Sequence, residues 1–240
     1  PMIDYHSHIL PHMDDGAFRT AESLEMLRES YRQGVGVMVS TSHFYADEED
    51  PKSFVNRRNQ AFLRLRDAMT QLPEAFPLIV LGAEVLYFPG ISQADGVEKL
   101  TIGCGSTILV EPPMVPWSDA MLDEIACLGR NLGCKPVIAH VDRFMKYLRD
   151  KHLIDRVLER DMLVQVNAGY FLDRKTLRDA IKNLKKGKIH LIGSDCHNML
   201  TRYPNLEAAR TVARKHGAES QFLNLSQNAE RLLFPDGMPL

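Results

Sequence analysis

Apolar positions follow two rhythms along this chain. Short, almost unbroken apolar runs alternate with longer stretches whose apolar residues recur three and four positions apart; the first rhythm predicts buried strands, the second amphipathic helices. The opening run leads from Met2 into His6 and His8. Side chains alternate across a strand, so Asp4, His6 and His8 are expected on one face, Tyr5 and Ser7 on the other. Thr20 to Gln33 carries Leu24, Leu27 and Tyr31 at helical spacing, with Thr20 or Ser23 as cap and Gly34 as stop. Val35 to Ser40 is a second strand, ending just before His43. Phe44 to Pro51 is polar and acidic and reads as a loop; Ser53 to Leu72 reads as a long basic helix.

Leu78 to Val85 is the third strand, with Glu84 near its end, and Thr107 to Glu111 the fourth, stopped by Pro112 and Pro113. A helix over Ser118 to Leu132, capped by Ser118 and ended by Gly133, precedes the fifth strand, Pro136 to His140. Helix Leu148 to Arg160, strand Leu163 to Asn167, helix Asp173 to Lys185 and strand Ile189 to Gly193 follow, and helices over Leu206 to His216 and Ser226 to Leu233 complete the pattern. Strands apolar throughout, alternating with helices, predict a parallel sheet covered on both faces. Seven such units in 240 residues favour one barrel-like α/β domain spanning residues 1–240 over two smaller ones. An open doubly wound sheet is the alternative, but no G-x-G-x-x-G turn follows a strand.

Composition narrows the function. The chain is 45% apolar and 25% charged, with a formal net charge of -2, which argues against a nucleic-acid binder or a polybasic membrane patch. No run suggests a signal peptide or a membrane span. Cys104, Cys127, Cys134 and Cys196 form no C-x-x-C pair, so free thiols in a reducing cytoplasm are expected.

Chemistry gathers at the strand ends. In chain order these carry His6 and His8, His43, Glu84, Glu111, His140, Asn167, and Asp195 with His197; Asp14, Asp15 and His12 stand in the loop after the first strand. In a parallel barrel all these ends lie on one face, where barrel active sites sit. His152, His190 and His216 fall elsewhere and read as surface or core. Imidazole and carboxylate suit Zn, Mn and Fe, and the ligand count exceeds one four-coordinate site, so two or three metals bridged by carboxylates are expected, Glu84 being the central bridge. Clustered metals polarise a phosphoryl group and ionise a bridging water. Arg143 and Arg202 follow two of these strands, and guanidinium forks favour phosphate. Cys196 to Arg202 spells the C-x5-R spacing of cysteine-dependent phosphatases, but the intervening residues contain no glycine and Cys196 lies between two expected ligands, so its thiol is expected to point away.

The segments H-S-H at 6–8, D-D-G at 14–16, His43, G-A-E ending at Glu84, V-I-A-H-V-D-R at 137–143, Q-V-N at 165–167 and S-D-C-H-N at 194–198 together resemble the PHP (polymerase and histidinol phosphatase) superfamily. More narrowly, the chain is similar to the bacterial manganese-dependent tyrosine-protein phosphatases of capsule and exopolysaccharide operons. The resemblance implies a distorted seven-stranded (β/α) barrel holding three metals, manganese first among Mn, Fe and Zn. It implies as ligands His6, His8, Asp15, His43, Glu84, Glu111, His140, Asp195 and His197, with Arg143 and Arg202 holding the phosphate. The expected reaction is hydrolysis by a metal-bridging hydroxide without a phosphoenzyme. A phenolate leaving group, of pKa about 10, needs little protonation; His43, His12 and a metal-bound water are the available proton donors. The implied substrate is the phosphotyrosine tail of a cognate bacterial tyrosine kinase controlling polysaccharide export, with no nucleic-acid partner, no membrane insertion and homo-oligomerisation left open. A small-molecule phosphatase of the histidinol-phosphatase type, a nuclease module of the same superfamily, and a non-catalytic metal-storing barrel are the competing readings.

Overall fold

The structure, a computed structural model, describes residues 1–239. Its strands are β1 (Met2–Ser7), β2 (Val35–Ser40), β3 (His43–Phe44), β4 (Leu78–Leu81), β5 (Glu84–Leu86), β6 (Thr107–Glu111), β7 (Lys135–Ile138), β8 (Leu163–Asn167) and β9 (Leu191–Gly193). The pairings among them are parallel, in two ladders ordered β1-β2-β4 and β3-β5-β6-β7-β8-β9. The ladders run on from each other: β2 passes through Thr41 and Ser42 into β3, and β4 through Gly82 and Ala83 into β5. The expected third strand is therefore two pieces. At the break the Gly82 carbonyl accepts from Arg58 Nη1 at 2.9 Å, a side chain standing in for a ladder partner. The sheet curls so that β9 comes beside β1, where Asp195 N donates to the His6 carbonyl (2.7 Å) and His8 N to that of Cys196 (2.9 Å).

Strand alternation sorts the core. Ile3, Tyr5, Val37, Val39, Leu109, Val137, Ala139 and Leu191 pack together with Ile102, Ala229 and Leu233, while Met2, Met38, Ile108, Val110, Ile138, Val164, Val166 and Ile192 face the helices. The expected strands thus carry apolar residues on both faces, as a helix-covered parallel sheet requires.

The helices depart from expectation at their ends. α1 (Thr20–Arg32) takes no cap from Thr20 or Ser23; Glu22 instead reaches back to accept from Phe18 N at 2.7 Å, and Gly34, at φ +88°, ends the helix as expected. α2 (Pro51–Thr70) starts ahead of Ser53, because Asp50 caps Ser53 N at 2.9 Å and Pro51 suits the first turn. α3 (Asp119–Leu132) has the expected Ser118 cap and Gly133 stop. The helix expected over Leu148 to Arg160 shortens to α5 (Leu153–Leu158), and a helix not expected, α4 (Val141–Leu148), precedes it, ended at Arg149, which is left-handed at φ 53°. That expected over Asp173 to Lys185 begins only at Leu177, as α7 (Leu177–Lys185); a short helix not expected, α6 (Gly169–Leu172), precedes the turn at Asp173, which accepts from Lys175 N. After α8 (Leu206–Lys215), α9 (Glu219–Leu233) begins well before Ser226; its first turns are polar outside but bury Phe222 and Leu225. Among the described residues no helix is long and apolar enough to cross a membrane.

Where β9 crosses β1 only glycine fits: a Cβ on Gly193 would stand 2.4 Å from the His6 Cβ. Gly193→Ala is therefore expected to force the two strands apart, costing about 1–3 kcal/mol. Thermal unfolding should show the midpoint falling by roughly 2–12 °C for a chain of this size; an unchanged midpoint would refute the close approach.

Candidate metal centre

The site is built from strand ends and the turns just beyond them. Glu84 opens β5 and is only 1% exposed, yet it is surrounded by imidazoles. Its Oε2 lies 3.1 Å from His6 Nε2, 3.2 Å from His8 Nε2 and 3.2 Å from His43 Nδ1; its Oε1 lies 3.0 Å from His140 Nε2. Glu111, ending β6, reaches His140 Nε2 at 2.8 Å. Asp195, just past β9, places Oδ1 3.4 Å from His6 Nε2 and 3.2 Å from His8 Nε2. Asp15 brings Oδ1 within 3.5 Å of His43 Nε2 and 3.3 Å of His197 Nε2. His140 and Asp195 both adopt left-handed backbone, at φ 30° and 54°, which turns the chain sharply out of β7 and β9.

Three overlapping sets of donor atoms close enough to share an ion emerge: His8, Asp15, His43 and His197; His6, His8 and Asp195; and His43, Glu84 and Glu111. His140 lies outside these sets but touches both glutamates. Buried polar atoms ordinarily find hydrogen-bond partners. Here Glu84 Oε2, His43 Nδ1 and His197 Nε2 make no well-formed hydrogen bond although nitrogens and oxygens of the cluster lie close by, and His6 Nε2 stands 3.2 Å from His8 Nε2. Converging, unpartnered imidazole and carboxylate atoms are what divalent cations take up, so the residues present fit a multi-metal site.

A surrounding layer that sequence reasoning did not assign holds these side chains. Asp14 is saturated: it accepts from His8 Nδ1 (2.8 Å), His43 N (2.9 Å) and Gly16 N (2.9 Å), leaving Asp15 as the D-D-G residue facing the cluster. Gln165 is fully buried, and a backbone donor fixes its amide. His140 N must donate, at 2.7 Å, to Gln165 Oε1; that oxygen is also 3.0 Å from His6 Nδ1, which therefore carries a proton and leaves Nε2 as the free lone pair. The Gln165 amino group then donates to Asn167 Oδ1 (3.1 Å), and Asn167 Nδ2 to Asp195 Oδ2 (3.0 Å). Asp4 does not join the histidines: it accepts from Ser194 N at 2.9 Å and from Ser194 Oγ, tying β1 to the β9 turn, and burial lifts its carboxyl to about 6. The Q-V-N segment and Asp14 beside Asp15 were the available signals for this layer.

Arg143 and Arg202 converge from opposite sides on one oxygen, Asp195 Oδ2, Arg202 at 2.9 Å; Arg143 Nη1 is also 3.2 Å from His140 Nε2. The loop expected after His43 instead begins as β3, and the Tyr45 ring stacks on His43 with centroids 5.3 Å apart. His12 is exposed against Phe18, outside the donor sets.

Burial opposes charge throughout, yet mutual pairing wins for most groups. His140 rises to about 9, since Glu111 and Glu84 outweigh burial, and Asp14 and its fellow carboxylates likewise hold His8 well above the ordinary imidazole value. His43 is also raised, by Asp15 and Glu84 against burial. Glu84 and Asp195 are held well below the usual carboxylate range, burial being outweighed by the histidines. His197 falls to about 4 through burial and the charge on His8. Burial pushes the Cys196 thiol up to about 12, as expected of a thiol turned into the apolar core.

A curled parallel sheet with a multi-metal donor set at its carboxyl ends defines the class: an α/β protein built for metal-assisted chemistry on an anionic group. Its residues 2–234 match the family described as capsular polysaccharide synthesis, CpsB/CapC, and the chain belongs to that family. It is 30% identical over 256 residues to the tyrosine-protein phosphatase CpsB of Streptococcus agalactiae serotype III, covering 97% of this chain and 98% of that one. It is 29% identical over 243 residues to the tyrosine-protein phosphatase YwqE of Bacillus subtilis, covering 97% and 91%. A solved chain described under crystal structures of YwqE from Bacillus subtilis and CpsB from Streptococcus pneumoniae, unique metal-dependent tyrosine phosphatases, superposes with a TM-score of 0.81 at 27% identity, over 100% of this chain and 96% of that one.

Two outcomes follow from this chemistry. Metal must displace the protons held on His8, His43 and His140, so affinity should climb as pH rises toward about 9 and loading should release protons. Calorimetry in buffers of different ionisation enthalpy reads this directly; pH-independent affinity with no proton release would contradict it. Gln165→Leu should weaken metal binding by about 10–100-fold, measured by equilibrium dialysis, because His6 loses the acceptor that sets its tautomer.

Proposed function

We propose that this chain is a metal-dependent protein-tyrosine phosphatase of capsule or exopolysaccharide synthesis. The observation that carries the reading is the convergence of Arg143 and Arg202 on Asp195 at the edge of the histidine–carboxylate cluster. Two guanidinium groups that meet on one oxygen can equally grip a phosphoryl group presented there. His6, His8, Asp15, His43, Glu84, Glu111, His140, Asp195 and His197 are the proposed ligands of two or three divalent ions, manganese first. When bound, such ions supply Lewis acidity toward phosphoryl oxygens and acidify water.

The chain's own groups do the rest. Arg143 and Arg202 orient the phosphate and neutralise its spreading charge as water attacks phosphorus in line. Gln165 and Asn167 hold His6 and Asp195 still. The leaving phenolate, of pKa about 10, departs with little help from a proton donor. Hydrolysis is direct, because Cys196 is buried and its thiol stays protonated at neutral pH. The substrate is the phosphotyrosine tail of a bacterial tyrosine kinase, met in the cytoplasm. In the same reading residues 1–240 form one domain, and the nine short strands count as seven staves of a distorted barrel, β3 continuing β2 and β5 continuing β4.

The test is hydrolysis of p-nitrophenyl phosphate and a phosphotyrosine peptide with Mn, with EDTA, and with two variants. Mn-dependent, EDTA-sensitive turnover of both is expected. Cys196→Ser should stay within a few fold of the parent, and Arg143→Ala should lose about 10²–10³-fold in kcat/KM. A dead Cys196→Ser enzyme with intact metal content would overturn the mechanism.

A further inference from the structure

Two grooves leave the cluster and meet at its arginine. One, of about 320 Å³, runs from Arg143, Asn167 and Gly169 along α4 to Lys146, Tyr147 and Asp173. The other, of about 200 Å³, starts from the same three residues and crosses Asp195 to Arg202 and Tyr203. The shared residues make them two arms of one channel, with Arg143 at the junction, Asp195 and Arg202 in the second arm, and an exposed tyrosine in each arm. Tyr147 is 65% exposed and Tyr203 52% exposed. One such ring on a surface is ordinary. A ring in each arm of a channel that passes the edge of the cluster at Arg143 and Asp195 is not a scatter, and an exposed tyrosine offers a rigid apolar face with a polar tip to an incoming chain.

The dimensions favour a polymer over a small ester. A phosphoryl group gripped by Arg143 and Arg202 takes the junction and the near part of the second arm, and leaves the first arm and the Tyr203 end open. A phosphotyrosine within a polypeptide keeps its backbone outside the cluster, at the level of the channel, and its neighbours extend in both directions. The arm along α4 presents the Lys146–Asp173 ion pair, 2.9 Å apart and half-exposed, which suits a polar, extended segment better than a lipid surface.

We propose that this channel seats the substrate polypeptide, with Tyr147 packing against residues on one flank of the phosphotyrosine and Tyr203 against residues on the other. The inference rests on the phosphotyrosine reading above and adds where the chain lies and which residues feel its sequence. Binding of non-reacting flanks shows chiefly in KM when it is equal in ground and transition states.

The test uses the full chain loaded with Mn and four substrates: phosphotyrosine, peptides extended on the amino side only or the carboxyl side only, and a peptide extended on both. For the parent, kcat/KM should rise about ten-fold or more from phosphotyrosine to the doubly extended peptide. Tyr147→Ser should erase the gain from one flank and Tyr203→Ser the gain from the other, each about 3–10-fold and through KM. Tyr147→Phe and Tyr203→Phe, which keep the ring, should retain it. Equal kcat/KM for all four substrates in the parent, or unchanged peptide-to-phosphotyrosine ratios in both serine variants, overturns the channel and leaves the phosphatase reading standing. A metal-loaded parent inert toward every phosphotyrosine substrate overturns both.

Discussion

A carboxylate almost sealed from water, with four imidazoles around it, is an expensive object. Glu84 cannot be solvated by water, and His6, His8, His43 and His140 cannot all be neutral hydrogen-bond partners of its two oxygens. Burying charge is tolerated only when it is paired or coordinated. The protein meets this constraint by drawing the groups from the ends of many strands and the turns just beyond them, so that no single loop carries the centre. Ladder breaks at Ser42 and Ala83, left-handed turns at His140 and Asp195, and a glycine at 193 are local costs accepted for that convergence.

The outer layer explains why the arrangement is specific. A backbone N–H cannot reverse its role, so His140 N fixes Gln165, Gln165 fixes His6 and Asn167, and Asn167 helps fix Asp195. Asp14 does the same for His8 and the backbone at His43. Orientation passes from main chain to ligand through neutral amides and one saturated carboxylate, and a ligand constellation held this way does not depend on mobile loops.

Much of this was legible in the sequence. Apolar runs located the strands, because a sheet covered on both faces leaves an unbroken apolar signature, and the parallel order followed from their alternation with helices. The donors were legible because they share one address, the strand end. Interruptions were not: nothing local announces that Gly82 and Ala83 leave the ladder, since the carbonyl they free is taken by Arg58 from a distant helix. The short helices α4 and α6 and the turns at Arg149 and Asp173 that delay α5 and α7 are set by backbone conformation and a side-chain hydrogen bond, which periodicity does not register. Asp14 and Asp15 are chemically identical in sequence, and three-dimensional hydrogen bonding separates them. C-x5-R illustrates the opposite hazard, a spacing that matches a known chemistry while its thiol lies buried in apolar packing.

The hydrogen bonds between β9 and β1 also have a meaning in time. The centre takes its first donor from His6 and its last from His197, and the strands that carry them are neighbours. A nascent chain emerging at roughly 5–20 residues per second would need on the order of 10–40 s between the two. Until then the early histidines face a half-made sheet with no Asp195 and no His197. The full donor set is therefore completed late in the life of the polypeptide, and a prematurely released chain would lack Asp195 and His197.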